Sequence, residues 1–345
     1  MSYLITGGCG FVGSNLAAEL LRRGESVTVV DNLSRHGAEL NLGWLRTVGP
    51  VRFVHGDTRN GFEVDAIVKS AKWKAIFHLA GQVAMTTSIE SPRRDFEINV
   101  LGTVNLLEAV RTGSVGAKDT PIVYASSNKV YGNLGYLDLV EGSVRYQPRA
   151  GAVGVDESAP LEFHTPYGCS KGAADQYMLD YARAFGLRTV VFRHSTIYGG
   201  RQFSTFDQGW VGWFCRQALA LKKQPGRPRF TIAGDGKQVR DLLHVEDAVR
   251  CYIAAAENIE RAAGIPFNVG GGAENSMSLL ELFGYLERKL GVRMQYDRLP
   301  WRQSDQKYFV ADNRRAGKLL GWSPRVTNSS GVDRVLDWEM EIARS

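Results

Sequence analysis

Cysteine is scarce in this chain: Cys9, Cys169, Cys215 and Cys251 lie far apart, with no C-x-x-C pair and no histidine at metal-ligand spacing. That argues against a disulfide scaffold and a zinc site, no metal is expected, and a reducing, cytoplasmic setting is. No apolar run approaches the roughly 20 residues that cross a bilayer. Met1-Ser2 leads straight into an apolar run and glycines without the basic region of a cleavable leader, so the fold is expected to begin at residue 2. Repeats and low-complexity tracts are also missing. Charge of one sign is in short supply, since 42 Lys and Arg against 36 Asp and Glu leave only +6, scattered along 345 residues. Small anionic ligands account for that excess as well as nucleic acid does. With 44% hydrophobic residues, the composition is that of a folded globular chain.

What is present is an alternation. Apolar, β-branched runs at Tyr3 to Thr6, Val27 to Asp31, Arg52 to His55, Ala75 to Leu79, Ile122 to Ser126 and Thr189 to Arg193 are separated by helical stretches. Such alternation predicts an α/β fold with a doubly wound parallel sheet of Rossmann type, covered on both faces. From Asn133 to Ser158, Gly, charge and Pro148 break any periodicity, and a long surface excursion is expected. After residue 193 the pattern loosens around glycine clusters, which suggests a smaller α/β substrate-binding domain.

Gly7, Gly10 and Gly13 follow the first strand and open a helix through Leu16, Leu20 and Leu21. Glycines there let backbone pass close beneath a pyrophosphate, and the helix N-terminus, at Phe11 and Val12, supplies N–H groups and positive potential. The second strand ends in Asp31, near the expected spacing of about 20 residues from the loop. A carboxylate there accepts hydrogen bonds from ribose hydroxyls and repels a 2′-phosphate, so NAD is favoured over NADP, with Asn32 and Ser34 alongside. Arg35 works against that choice, because a guanidinium accommodates phosphate. Asp57 reads equally as an adenine contact and as a helix N-cap.

Tyr167-Gly168-Cys169-Ser170-Lys171 puts a phenol and an ammonium four residues apart on one helix face. A cation near the phenol favours phenolate, so Tyr167 is expected to serve as a base below the usual value of about 10. Taken with the glycine loop, Leu79-Ala80-Gly81, Asn99, the segment Tyr124 to Gly132, and Arg240-Asp241 with His244, the chain resembles the extended short-chain dehydrogenase/reductase superfamily, the nucleotide-sugar epimerases and dehydratases. The resemblance covers nearly the whole chain. It implies Tyr167 as base, Lys171 as electrostatic partner and ribose ligand, Ser127 as the hydroxyl between substrate and tyrosine, and Ser126 near the nicotinamide. Leu79, Ala80, Gly81, Gln82 and Asn99 fall to the NAD site by the same resemblance. It divides the chain into an NAD-binding domain, 1–192 plus 239–270, and a nucleotide-sugar-binding domain, 193–238 plus 271–345. A homodimer through helices near Leu106 and Met178 is also expected.

Dehydratases of this group carry an Asp-Glu pair where this chain has Asn128 and Lys129, so dehydration is disfavoured. Longer runs, from Ala80 to Ser88, Ser127 to Gly132, Phe192 to Ser195 and Asp207 to Phe214, resemble the branch that epimerises C2 of a CDP-linked hexose. C4 epimerisation of a UDP- or dTDP-hexose is the alternative, and a nucleotide-sensing protein without catalysis is the reading from another class. Substrate contacts are expected from Gln82, Thr86, Ser127, Asn128, His194 and Thr196, with Arg240 and Arg302 on the diphosphate. Met85, Trp210 and Trp213 are expected in the core. Gly81, where the family commonly has a second alanine, is a departure.

Overall fold

The computed structural model describes residues 1–114, 116–151 and 154–344. Its strands, in chain order, are β1 (Ser2–Thr6), β2 (Val27–Asp31), β3 (Val51–His55), β4 (Trp73–His78), β5 (Ile122–Ser127), β6 (Leu139–Glu141), β7 (Tyr146–Pro148), β8 (Thr189–His194), β9 (Thr196–Tyr198), β10 (Phe230–Ala233), β11 (Val239–His244), β12 (Ile265–Val269), β13 (Ser276–Ser278), β14 (Tyr296–Leu299) and β15 (Tyr308–Phe309). Seven of them form one sheet in the order β12-β8-β5-β4-β1-β2-β3. Every pairing in it is parallel.

The run Val27-Thr28-Val29-Val30 is buried throughout, as a strand covered on both faces must be. One face packs Val29, Phe77, Val190 and Phe192 against Leu16 and Leu20 of the Phe11–Arg22 helix and Tyr252 of the Val245–Glu257 helix. The other packs Leu4, Ile76, Tyr124 and Val191 against Leu106, Leu107 and Val110 of the Gly102–Arg111 helix and Met178 of the Thr165–Phe185 helix. Leu106 and Met178 are fully buried there, so the outward faces of their helices are formed by other side chains, among them Tyr177 and Phe185. Strand order reverses between β1 and β4, and open α/β sheets gather ligands at that reversal.

The six expected strands are all present, and β12 completes the sheet beyond β8. Val239–His244, grouped on sequence with the NAD-binding domain, does not join the seven-stranded sheet. It pairs with β13 antiparallel and with β15 and β9 parallel, partners that its own burial pattern does not reveal.

The excursion from Asn133 to Ser158 is not structureless. Its β6 and β7 form an antiparallel hairpin clasped to the smaller sheet that contains β11 and β13. The Tyr146 hydroxyl donates to Asp235 at 2.6 Å, and the Tyr146 N–H donates to the Lys237 carbonyl at 3.0 Å. Ser278 donates to the Val144 carbonyl at 2.7 Å. Residues 152–153 of the excursion lie outside the described residues. Among the described residues no helix is long and apolar enough to cross a membrane.

A buried ion pair joins β8 to the helix that carries Tyr167. Arg193 donates to Asp175 through Nε and Nη2, both at 2.9 Å, and the Ser126 hydroxyl donates to the same carboxylate at 2.8 Å. Asp175→Ala would strand a buried guanidinium, which costs roughly 3–5 kcal/mol. The expected outcome is a lower urea midpoint at unchanged m-value, measured by circular dichroism.

Candidate active site

A single cavity of about 540 Å³ lies over the carboxyl ends of β1, β2, β4, β5 and β8 and extends to β10 and Arg302. At one end is the glycine loop. Gly7 adopts φ +67°, and a Cβ there would meet the Ala80 nitrogen at 2.6 Å. A Cβ on Gly13 would meet the Gly7 carbonyl at 2.2 Å. The helix that follows has no side-chain cap at Gly10, so its N-terminus faces the cavity as an open anion site. Asp31 accepts the N–H groups of Cys9 at 3.0 Å and Leu33 at 2.8 Å. Burial pushes its carboxyl up and those backbone bonds pull it back. This cradle fits a dinucleotide.

Asn32, Ser34, Arg35 and Asp57 line the same end. Asp57 accepts from Asn32 at 2.9 Å and from Arg59 at 3.0 and 2.7 Å, which holds it down to about 2. The N-cap considered for Asp57 is Asn60, whose side chain accepts from Phe62 and Glu63.

In the middle of the cavity stand Ser126, Ser127, Tyr167 and Lys171. Tyr167 does not have the depressed value expected from sequence. Burial pushes its phenol up to about 12, against a lowering hydrogen bond from Ser127. The reason is geometric: the Lys171 ammonium donates to the Ala125 carbonyl at 2.8 Å and to the Tyr124 hydroxyl at 3.4 Å, turned toward β5. Burial holds Lys171 itself down to about 8, with Asp95 opposing. The arrangement brings the Ser127 and Tyr167 hydroxyls together beside a weakly held proton on Lys171, with the Ser127 hydroxyl donating to Asn128 at 3.3 Å.

Asn99, Gln82 and Thr86 stand just behind the cavity lining, next to Gly81, Val83, Met85 and Ile98, which line it. Asn99 sits on a π-helical turn, Glu97–Leu101, where it accepts the Gln82 N–H at 3.0 Å and donates to Ser170 at 3.0 Å. It braces the Leu79-Ala80-Gly81 loop against the Tyr167 helix. The Gln82 side chain turns to the Ala84 carbonyl at 2.6 Å and to Asp95 at 3.1 Å. Thr86 lies in the Met85–Glu90 helix with its hydroxyl buried and without a hydrogen-bond partner.

At the far end Asp305 joins Arg240 at 2.8 Å and Lys129 at 3.1 Å, and those cations hold its carboxyl down to about 2 despite burial. Arg302 lies over the Phe206 ring, 5.4 Å from its centroid. Asn128 donates to Gln306 at 2.9 Å. His194, Thr196, Met85 and Trp210 also line the cavity, the last two against the expectation of core residues. Gln238, Tyr252, Asp305 and Phe206 line it as well, though sequence reasoning did not offer them as ligand contacts. Asp305, three residues after Arg302, carried the nearest signal. Among the described residues no cluster suited to a metal ion is found.

Residues 3–270 match the family model described as NAD dependent epimerase/dehydratase family. The chain is 54% identical over 342 residues to CDP-paratose 2-epimerase of Salmonella typhi, covering 99% of this chain and 100% of that protein. It is similar in structure to UDP-glucose 4-epimerase of Thermotoga maritima solved with UDP-glucose, with TM-score 0.83, 28% identity, and 99% and 100% of the two chains covered. The Thermus thermophilus UDP-glucose 4-epimerase in complex with NAD gives TM-score 0.79 and 27% identity, covering 99% of each chain. Because the gap beneath Gly13 has no room for a methyl group, Gly13→Ala is expected to weaken NAD binding by roughly tenfold or more, about 1.4 kcal/mol, as read by isothermal titration.

Proposed function

The chain belongs to the NAD dependent epimerase/dehydratase family, and we propose that it inverts C2 of a CDP-linked hexose through a transient 2-keto sugar. The observation that carries this reading is the continuity of one cavity, from Asp31 past Ser127 and Tyr167 to Arg240 and Arg302. The whole-length similarity to a CDP-paratose 2-epimerase supports the choice of carbon and of cytidine.

NAD, when bound in the glycine-loop cradle, supplies a reversible hydride acceptor. The residues handle the proton and the position. Tyr167 takes the C2 hydroxyl proton and later returns it, with Ser127 hydrogen-bonded between sugar and phenol. The nearby Lys171 favours the phenolate once its ammonium turns from the Ala125 carbonyl. Arg240 and Lys129 hold the diphosphate in exchange for Asp305, so the nucleotide stays anchored while the keto sugar turns over. Asn128 and Lys129 offer no carboxyl pair for eliminating water, which speaks against dehydration.

The test is incubation with CDP-, UDP-, dTDP- and GDP-hexoses in deuterated water, followed by proton NMR. Inversion at C2 of the CDP-sugar without deuterium uptake is expected; inversion at C4 would overturn the assigned regiochemistry. Tyr167→Phe is expected to keep NAD bound and lose about 10² to 10⁴-fold in turnover. Unchanged turnover would remove Tyr167 from the chemistry.

We place the enzyme in the cytoplasm, supported by its free cysteines. We also propose a homodimer, supported by Phe96, Leu101, Tyr177 and Phe185, which are exposed on the helices outside the sheet. Sedimentation equilibrium is expected to give twice the chain mass, and a monomer at micromolar concentration would defeat that assembly.

A further inference from the structure

Five polar atoms of the cavity wall have no partner among the described residues: Oδ1 of Asn41, Oε1 of Gln202, Oε1 of Gln238, Nε2 of His194 and the hydroxyl of Tyr252, and of these the last two belong to rings stacked on one another. His194 is 7% exposed and Tyr252 fully buried, and their rings stack with centroids 5.5 Å apart and planes 29° from parallel. Buried polar groups in folded proteins are normally satisfied. A pair left open on one wall of a ligand cavity therefore marks a place where a ligand supplies the missing groups.

The alternation of β8 says which ligand. Val190 and Phe192 point to the face covered by the Phe11–Arg22 and Val245–Glu257 helices. His194, two residues on, points the same way, with its ring 5.8 Å from that of Phe192. Arg193 points oppositely, to Asp175 on the helix that carries Tyr167 and Lys171. His194 and Tyr252 thus stand on the glycine-loop side of the sheet, across from the phenol that must face the sugar. A dinucleotide entering over Gly7 and Gly10 would reach the space between those two walls. The sequence reading placed His194 against the sugar; on β8 it lies on the glycine-loop side of the sheet, with Phe192.

The chemistry of the two atoms is complementary. His194 is neutral, because burial holds its imidazole down to about 4. Its Nδ1 lies 3.3 Å from the Ser126 carbonyl, an acceptor, so Nδ1 carries the proton and Nε2 keeps a bare lone pair. The Tyr252 hydroxyl, buried among apolar side chains and pushed well up by desolvation, keeps its proton and donates. One acceptor beside one donor is the complement of a primary amide, which presents an N–H and a carbonyl oxygen side by side.

We propose that His194 and Tyr252 form a side-chain clamp for the carboxamide of the nicotinamide ring, Nε2 of His194 accepting from the amide N–H and the Tyr252 hydroxyl donating to the amide oxygen. This rests on the reading of the cavity as an NAD site. It makes the pair positioning residues that set which ring face meets the sugar and hold the ring through a catalytic cycle.

The test is the affinity of cofactor-free protein for NAD, for 3-acetylpyridine adenine dinucleotide, in which a methyl group replaces the amide nitrogen, and for ADP-ribose, which lacks the ring. Wild-type protein is expected to prefer NAD over the acetylpyridine analogue by about tenfold, the size of one well-made hydrogen bond. His194→Phe keeps a stacking ring and is expected to abolish that preference. Tyr252→Phe removes one oxygen and is expected to weaken NAD and the analogue alike, since both keep the carbonyl. ADP-ribose affinity is expected to stay constant throughout, which also reports that each variant is folded. A preference that survives in His194→Phe, or a parallel loss of ADP-ribose binding in both variants, overturns the clamp. Failure of wild-type protein to bind either NAD or ADP-ribose would overturn the cofactor reading and the clamp with it.

Discussion

The backbone at Gly7 runs so close to that at Ala80 that one methyl group would fill the space between them. That approach is where strand order reverses between β1 and β4, and the rest of the site is arranged around it. The Phe11–Arg22 helix begins there, directly after Gly10, and its N-terminus then points along the crevice. The Leu79-Ala80-Gly81 segment is fixed against the loop from one side and braced by Asn99 from the other. A Cβ at Gly81 would lie 3.1 Å from the Lys171 ammonium, so the alanine common in the family would press on the lysine beside Tyr167. Cofactor cradle and proton machinery are thus parts of one close-packed joint.

Desolvation dominates the electrostatics of the cavity. It pushes Tyr167 up to about 12 and holds Lys171 down to about 8 and His194 down to about 4. Each of these groups is biased toward its neutral form, while at the nucleotide end Arg240 and Lys129 are balanced by Asp305, and Arg302 lies 3.5 Å from Asp207. Such a site stores little net charge of its own. Anionic ligands compete with Asp305 for Arg240 and Lys129, and the ion pairs they form inside the cavity are stronger than the same pairs in water.

Much of this was legible from the residues. The period of apolar runs located six strands, and the glycine spacing with Asp31 located the cofactor end, because both depend on local geometry. Pairing partners are non-local, which is why neither the partners of β11 nor the hairpin at β6 and β7 could be read from the residues. The direction of a side chain at a loop or helix start is also non-local. Gln82 and Thr86 follow a strand end at the crevice, yet one folds onto its own loop and the other into its helix. The rise in the Tyr167 phenol was hidden for the same reason, since it comes from burial among distant segments, and four-residue spacing does not say that β5 captures the Lys171 ammonium.

The β6–β7 hairpin is made in the first half of the chain, but everything it grips is made later. Tyr146 waits for Asp235, Glu141 for Lys237, and Val144 for Ser278. β8 likewise lacks its outer neighbour until Ile265–Val269 emerges. During synthesis from the N-terminus, a chain stopped before residue 235 would present an unpaired hairpin and an open sheet edge to its surroundings. The fold is therefore committed late, and the last third of the polypeptide acts as the closure for strands translated long before it.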